Sequence, residues 1–138
     1  MDSDEEWPCF YSDVDEARPD VAHYFNELSR NNHFVTAEDL SDALLENPEG
    51  IFLLDIREEE YYEREHIEGA VHIWWHDVGD RLEELPKDKP IVVVCNTGQS
   101  AAQLVGVLQS LGYRIYSLLG GMNNGWLPEG YPVITIQE

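Results

Sequence analysis

The chain has 138 residues, of which 43% are hydrophobic, and a formal net charge of −20 from 28 acidic and 8 basic side chains. This length fits one domain with a sizeable core. The acidic excess argues against nucleic acids and anionic membranes as partners, because binding to either depends on Lys and Arg contacts. Two cysteines, Cys9 and Cys95, are too few for a disulfide scaffold. With no signal-like leader and no long apolar run, we expect a reducing, cytoplasmic setting.

The charge is distributed unevenly along the chain. Residues 1–33 contain nine acidic and two basic side chains, and residues 34–90 contain seventeen and five. Residues 91–138, which include Cys95, contain only two acidic side chains and one basic side chain. The acidic excess is interpreted as a solvated surface, with a basic protein partner or adaptation to a salty cytoplasm as alternatives. No feature of the sequence indicates an oligomeric state.

Residues 1–33 are predicted to form an acidic N-terminal extension, and residues 34–138 the folded domain. Within the extension, apolar residues at helical spacing predict one amphipathic helix: Val21, Tyr24, Phe25 and Leu28. This apolar stripe either packs against the edge of the domain or binds a partner.

From residue 34 onward, predicted helices and strands alternate. Thr36 is expected to cap the first helix. Strands are predicted at residues 51–54, 71–73, 91–94 and 113–118, and helices near residues 58–64, 77–85 and 99–111. After a turn at Gly120 and Gly121, a short helix is predicted toward Trp126. This alternation predicts an α/β fold with a mostly parallel sheet covered on both faces.

Cys95 lies at the junction between a predicted strand and a predicted helix. In parallel sheets, ligands bind beyond the carboxyl ends of the strands, and Asp55 and Cys95 both occupy such ends. The free amides of the loop and of the first helical turn form an anion site, which favours the reactive thiolate. We therefore expect a solvent-open, anionic sulfur. The alternative is a buried structural cysteine.

Four segments together resemble the rhodanese-like domain family. They are residues 52–57 with Asp55 and Arg57, residues 63–73, residues 93–95 with the following loop, and residues 119–122 with Trp126. The resemblance extends over about residues 34–135. It implies a five-stranded parallel sheet flanked by helices and a sulfurtransferase without a cofactor. In such an enzyme, the Cys95 thiolate would take sulfur from thiosulfate or a persulfide, and the resulting persulfide would pass it to a thiophilic acceptor.

Under this resemblance, the residues that follow Cys95 line a substrate-binding loop. Gly98 is expected to have a positive φ, so that the backbone curls around the sulfur. Ser100 caps the helix or directs its hydroxyl at the persulfide. Thr97 and Gln99 line the loop, and Asn96 tolerates an unusual backbone angle.

Asp55 and Arg57 are interpreted as a structural pair at the strand end, with Arg57 also a candidate for contacting the substrate. The loop at residues 96–100 contains no Lys or Arg, which many thiosulfate-using relatives carry. We therefore expect a protein-bound or small-molecule persulfide as the donor and a thiol as the acceptor. The same absence argues against a phosphatase-like activity. The alternative function is a non-catalytic interaction or regulatory module with this fold.

Other candidate sites are weaker. His72 and His76 are four residues apart but do not lie on a predicted helix, so no metal site is expected there. Trp74, Trp75 and Trp126 are expected to fill the core, with a position in the wall of the site as the alternative. Cys9 is expected to be unpaired, although it could resolve an oxidised Cys95.

Overall fold

Five short strands form one parallel sheet in the computed structural model, which describes residues 33–136. The strands are β1 (Phe34–Val35), β2 (Phe52–Asp55), β3 (Val71–His72), β4 (Ile91–Val94) and β5 (Ile115–Leu118), in the spatial order β1-β5-β4-β2-β3. The connecting helices are α1 (Ala37–Glu46), α2 (Glu59–Arg64) and α3 (Gln99–Ser110), with 3₁₀ segments at Pro48–Gly50 and Trp75–Glu84 and a π-helix at Gly121–Trp126. The predicted α/β class and five-stranded sheet are confirmed.

The central strand β4 is buried along its whole length. Ile91 and Val93 belong to one apolar cluster, and Val92 and Val94 belong to another. Because successive side chains of a strand point to opposite faces, both faces of the sheet are covered. This two-sided burial explains why four apolar β-branched residues follow one another without a polar residue between them.

Helix α1 begins at its predicted cap. The Oγ1 atom of Thr36 accepts a hydrogen bond from the Asp39 N–H at 3.1 Å. Glu38 and Asp39 occupy the first turn, where carboxylates interact favourably with the helix dipole. Leu40 is fully buried in the core, so the cap determines where the helix starts and Leu40 anchors its inner face.

Three elements refine the sequence-based expectation. The helix predicted near residues 77–85 is a 3₁₀ helix, and Arg81 interrupts it with φ −127° and ψ 29°. The helix after Gly120 is a π-helix. Strand β1, which the residue pattern did not locate, pairs with β5 through Phe34 and Val35. Two residues are too few for a periodic pattern, so this strand is defined only by its partner.

The predicted N-terminal features lie outside the described residues. They include the amphipathic helix at residues 21–28 and any role of Cys9, which stay predictions together with the domain boundary at residue 33. Within residues 33–136, no helix combines the length and the apolar character that crossing a membrane requires.

Candidate active site

Strands β2 and β4 end side by side at the carboxyl edge of the sheet. Asp55 and Val94 are register partners in these parallel strands. One residue further on, the Ile56 N–H donates to the Val94 carbonyl at 3.0 Å. Cys95 follows Val94 directly, so it leaves the sheet beside Ile56. The shared edge predicted from the two strand ends is therefore formed.

The loop after β4 folds back onto the sulfur of Cys95. The Gly98 N–H donates to Sγ at 3.0 Å, and Gly98 has a φ of +98°. Glycine adopts this left-handed conformation at little cost, which allows its amide to turn toward the sulfur. Gly98 is also the N-cap of α3, where the first amides have no acceptor within the helix. These donors and the helix dipole form a site suited to an anion.

The opposite side of this loop is held by the π-helix. The Met122 N–H donates to the Cys95 carbonyl, and the Asn123 N–H donates to the Asn96 carbonyl, each at 2.8 Å. Gly121, at φ +63°, lies so close that a Cβ atom there would be 2.5 Å from the Cys95 oxygen. The predicted turn at Gly120 and Gly121 is therefore also a close backbone contact that supports the active-site loop.

Asp55 and Arg57 form a buried ion pair behind the edge. Arg57 Nε donates to Asp55 Oδ1 at 2.9 Å, and Nη2 donates to Oδ2 at 2.8 Å. The Arg57 backbone N–H also donates to Oδ1 at 3.1 Å, and Nη2 donates to the Glu65 carbonyl at 2.7 Å. Because Glu65 follows α2 directly, this network connects the end of β2 to the C-terminal end of that helix.

A pocket with a volume of about 410 Å³ opens beside Cys95. One wall consists of Cys95 and the loop residues Asn96, Thr97, Gln99 and Ser100. The other wall comes from a different part of the chain and consists of Ile56, Arg57, Glu58, Tyr61 and Trp75. Gly98 and Asp55 are buried and do not line this pocket. The structure therefore brings the predicted site residues together and adds Ile56, Glu58 and Tyr61, which the sequence did not indicate.

Arg57 is the only cationic residue in the lining of this pocket. Its described hydrogen bonds lead to Asp55 and Glu65, so its charge is largely compensated. The part of the chain that the structure describes contains five other cations, and each contacts a partner elsewhere: Arg64, Arg81, Lys87, Lys89 and Arg114. A contact between Arg57 and the substrate stays a prediction.

Cys95 is more buried than expected. The residue is 6% exposed and belongs to the apolar cluster that includes Ile56 and Ala101. The expectation of a solvent-open side chain is wrong in this respect, because the loop folds over the sulfur. Cys95 is nevertheless part of the pocket lining, which a purely structural cysteine would not require.

One of the two roles predicted for Ser100 is wrong. Ser100 does not cap α3, because the helix begins at Gln99, its N-cap is Gly98 and no side chain caps it. Asn96 does not have a positive φ, since His33 is the only described non-glycine residue with one. The Asn96 Oδ1 atom is buried without a hydrogen-bond partner. Backbone contacts with the π-helix determine the path of the loop, and these were not visible in the local pattern.

The tryptophans divide between core and surface. Trp126 is 2% exposed and its Nε1 donates to the Pro132 carbonyl at 2.9 Å, as expected for a core residue. Trp75 is 54% exposed and lines the Cys95 pocket, so core packing is wrong for this residue. The sequence alternative, a position in the wall of the site, is correct for Trp75.

The histidine pair predicted not to bind metal has other contacts. His72 Nε2 lies 2.7 Å from the Arg57 carbonyl, and His76 Nδ1 lies 3.3 Å from Asp77 Oδ1. Among residues 33–136, no three His, Cys, Asp or Glu side chains are grouped to hold a metal ion. The contact of His72 with Arg57 therefore indicates a structural role.

A larger cavity of about 770 Å³ lies elsewhere, between α1, the start of β2 and the C-terminal segment. Its lining is mainly apolar and includes Leu44, Phe52 and Val133 but not Cys95. The smaller pocket is the candidate active site, because Cys95 and residues of the loop that follows it line that pocket.

Comparison with known proteins identifies related sequences. The profile of the family described as "Rhodanese-like domain" matches residues 36–127. Thiosulfate sulfurtransferase GlpE of Pseudomonas syringae is 36% identical over 90 residues, which cover 64% of this chain and 83% of that protein. The putative sulfurtransferase YtwF of Bacillus subtilis is 33% identical over 78 residues, which cover 56% of this chain and 76% of that protein.

Solved structures show the same fold. A rhodanese-related protein from Thermoplasma volcanium aligns with a TM-score of 0.67 and 30% identity, covering 76% of this chain and 99% of that chain. The BH2092 protein from Bacillus halodurans aligns with a TM-score of 0.68 and 29% identity, covering 83% of each chain.

Proposed function

Because the chain belongs to the rhodanese-like domain family, in which relatives named sulfurtransferases cover most of its domain, we propose that it transfers sulfane sulfur through a persulfide on Cys95. One observation carries the proposal. The Cys95 sulfur accepts a hydrogen bond from the Gly98 N–H at 3.0 Å, and it borders a pocket at the carboxyl edge of the sheet.

The first half-reaction loads sulfur onto the enzyme. The Cys95 thiolate attacks the outer sulfur of a donor, and a new S–S bond forms as the donor's own bond to that sulfur breaks. With thiosulfate the leaving group is sulfite, which departs with the electron pair, and with a persulfide donor it is a thiolate. The Cys95 persulfide anion remains.

The second half-reaction unloads the sulfur. An acceptor thiolate attacks the outer sulfur of the Cys95 persulfide and forms its own S–S bond. The bond between the two sulfurs on the enzyme breaks, and its electron pair returns to Cys95 as thiolate. No redox cofactor is required, because each step breaks one S–S bond and forms another, and no electrons are gained or lost overall.

The loop serves both half-reactions electrostatically. The Gly98 amide already contacts Sγ, and the amides at the start of α3 lie on the same loop. Donors fixed before the reaction stabilise a developing anion without having to reorganise. Thr97, Gln99 and Ser100 are exposed at the mouth of the pocket, where they are available to contact the bound donor.

Charge favours a persulfide over thiosulfate as the donor. The loop at residues 96–100 contains no cation, and the nearby Arg57 is paired with Asp55. A dianion would therefore meet backbone dipoles and a compensated guanidinium only. A protein-bound or small-molecule persulfide carries less charge and is the better match. Free thiols are the natural acceptors in the reducing, cytoplasmic setting that we propose.

Mass spectrometry tests the proposal directly. After incubation with thiosulfate or with a persulfide donor, we expect the protein to gain the mass of one sulfur atom, and peptide mapping to locate it at Cys95. Cys95→Ser should gain none. Uptake by Cys95→Ser would place the site elsewhere. An unmodified wild-type protein with every donor would favour the interaction module instead.

Thiocyanate formation from cyanide then reports complete turnover. We expect slow turnover with thiosulfate and faster turnover with a persulfide donor, because the pocket has little positive charge to offer a dianion. Equal or faster turnover with thiosulfate would contradict the proposed donor preference but not the persulfide itself.

A further inference from the structure

Trp75 is a large apolar side chain that the fold holds at the surface. It is 54% exposed, and its backbone N–H donates to the Ile56 carbonyl at 3.0 Å. Trp74 and His76 meet its ring edge-on, with centroids 6.2 Å away and interplanar angles of 67° and 71°. A backbone anchored to the end of β2 thus positions an open indole beside Cys95. Exposed, well-anchored Trp residues are typical of binding hot spots.

Glu58 faces the same pocket with an unpaired charge. It precedes α2 as its N-cap residue, yet its side chain makes no capping hydrogen bond. It is exposed, lines the pocket and forms no ion pair with another described residue. A negative charge therefore lines the same pocket as the Cys95 sulfur, close in the chain to Glu59 and Glu60.

The cations near this wall are already engaged. Arg57 is bound by the Asp55 carboxylate at 2.8 Å. Arg64 lies over the Tyr61 ring, 5.5 Å from its centroid, and pairs with Glu60 at 3.2 Å. The lining of the pocket thus combines an open aromatic face at Trp75 with an uncompensated carboxylate at Glu58. This combination attracts a positive charge, through a cation–π contact and through Coulomb attraction.

We propose that the pocket selects an acceptor thiol that carries a positive charge near its sulfur, with Trp75 and Glu58 as the residues that recognise the cation. The inference rests on the proposed persulfide function and adds the substrate class. The reacting sulfur of the acceptor approaches the Cys95 persulfide, while its ammonium or guanidinium group lies against the opposite wall. A cationic small thiol and a cysteine flanked by Lys or Arg in a protein share this chemistry.

The charge of the whole domain acts in the same direction. Residues 34–90 contain seventeen acidic and five basic side chains. Such a surface attracts cationic partners and repels anionic ones over a range of about 10 Å at moderate ionic strength. Glu58 would then convert a general attraction into a contact beside the reacting sulfur.

Single-turnover kinetics with small thiols provides the test. The protein is first converted to the Cys95 persulfide, and the donor is removed. The fraction of Cys95 that carries the added sulfur is then measured by mass spectrometry. The loaded protein is then mixed with cysteamine, 2-mercaptoethanol or 3-mercaptopropionate, which are cationic, neutral and anionic. For each variant, the rate with each thiol is divided by the wild-type rate with that thiol, so the intrinsic reactivity of the thiol cancels.

We expect Glu58→Gln and Trp75→Ala each to lower the cysteamine rate about three- to tenfold relative to the 2-mercaptoethanol rate. Glu58→Lys should additionally raise the rate with 3-mercaptopropionate. Glu46→Gln, at an exposed position on α1 outside the pocket lining, is the matched control and should leave the ratios at wild-type values. Equal ratios in Glu58→Gln and Glu46→Gln, both for cysteamine and for a cysteine peptide flanked by lysines, would overturn the inference.

Two peptides distinguish the sources of the cation. Each contains one cysteine, flanked by lysines in the first and by glutamates in the second. A Glu58-dependent preference for the lysine peptide alone supports a polypeptide acceptor, and a preference for cysteamine as well supports the shared chemistry. If the load on Cys95 forms normally but no preference is found, only this inference fails. If no load forms with any donor, the proposed function fails with it.

Discussion

The two walls of the Cys95 pocket are built in different ways. The loop wall, at residues 95–100, presents the Gly98 backbone amide to the sulfur and is supported by the backbone of Gly121. The side-chain wall presents Glu58, Tyr61 and Trp75 from two distant segments. Amides have the same chemistry in every sequence, whereas side chains differ. We infer that the loop wall supplies the reactivity of the family and the side-chain wall the preference of this protein.

The anchors of the two walls also differ. The loop wall depends on glycines that allow two backbones to approach closely, so it is sensitive to added volume. The side-chain wall depends on a buried ion pair that connects β2 to α2, so it is sensitive to the loss of a charge. Substitutions at the two anchors should therefore produce different failures.

The largest effect on stability is expected for Asp55→Asn, in the anchor of the side-chain wall. This change leaves the Arg57 guanidinium buried without its carboxylate, where the two side chains are now 3% and 1% exposed. We expect a loss of about 3–5 kcal/mol in the free energy of unfolding, measured in denaturant, because an uncompensated buried charge is costly.

Glu84→Gln is the matched control for this substitution. It removes a carboxylate from the Arg81 pair, in which both side chains are 40% exposed. Exposed pairs contribute little, so stability should remain close to wild type. Similar losses in the two variants would show that Asp55 does not anchor this wall.

A smaller effect is expected for Gly121→Ala, which adds one methyl group behind the loop wall. The new Cβ would lie 2.5 Å from the Cys95 oxygen, at a φ of +63° that side chains rarely adopt. We expect a loss of about 2–4 kcal/mol from crowding and backbone strain. The displaced loop should slow sulfur transfer to cationic, neutral and anionic acceptors by the same factor.

Gly130→Ala separates crowding from strain. Gly130 has a φ of +80°, but a Cβ atom there would meet nothing within 4 Å. This variant should lose only about 1 kcal/mol, with transfer rates like those of the wild type. If Gly121→Ala changes acceptor preference instead of the overall rate, the assignment of reactivity to the loop wall and of preference to the side-chain wall is wrong.

The smallest effect concerns Tyr62, on the inner side of α2. Its ring stacks on His66 and His72, with centroids 3.8 and 4.6 Å away, and its hydroxyl donates to the Ala70 carbonyl at 3.0 Å. Burial raises the pKa of Tyr62 above 10.0, the nearby Asp55 charge raises it further, and Arg57 partly opposes this.

A raised pKa means that the folded state keeps the phenol protonated where the unfolded state releases its proton. The contribution of Tyr62 to stability is therefore complete below about pH 10 and is lost as the pH rises above that value. Denaturant unfolding at a series of alkaline pH values should show a shallower decline for Tyr62→Phe than for wild type. Identical declines would indicate that α2 does not bury this hydroxyl.

Much of the loop wall could be predicted from local sequence. Four apolar β-branched residues indicate a buried strand, and Gly98 indicates a backbone turn, because both depend on the conformational preferences of the residues themselves. The start of α3 at Gln99 agrees with the sequence-based prediction, and its N-cap is Gly98 rather than Ser100. The hydrogen bonds between the loop and the π-helix join residues far apart in the chain, so no short-range pattern records them.

By itself the sequence determined the α/β class, the position of Cys95 at a strand end and the glycine beside it, since these follow from hydrophobic pattern and backbone preference. Only the tertiary structure decided that Trp75 is exposed, that Glu58 lines the same pocket as Cys95 and that Gly121 supports the loop. Those relations join segments that are separated by 20 to 37 residues from Cys95, and the packing of the sheet, not the residues in between, brings them together.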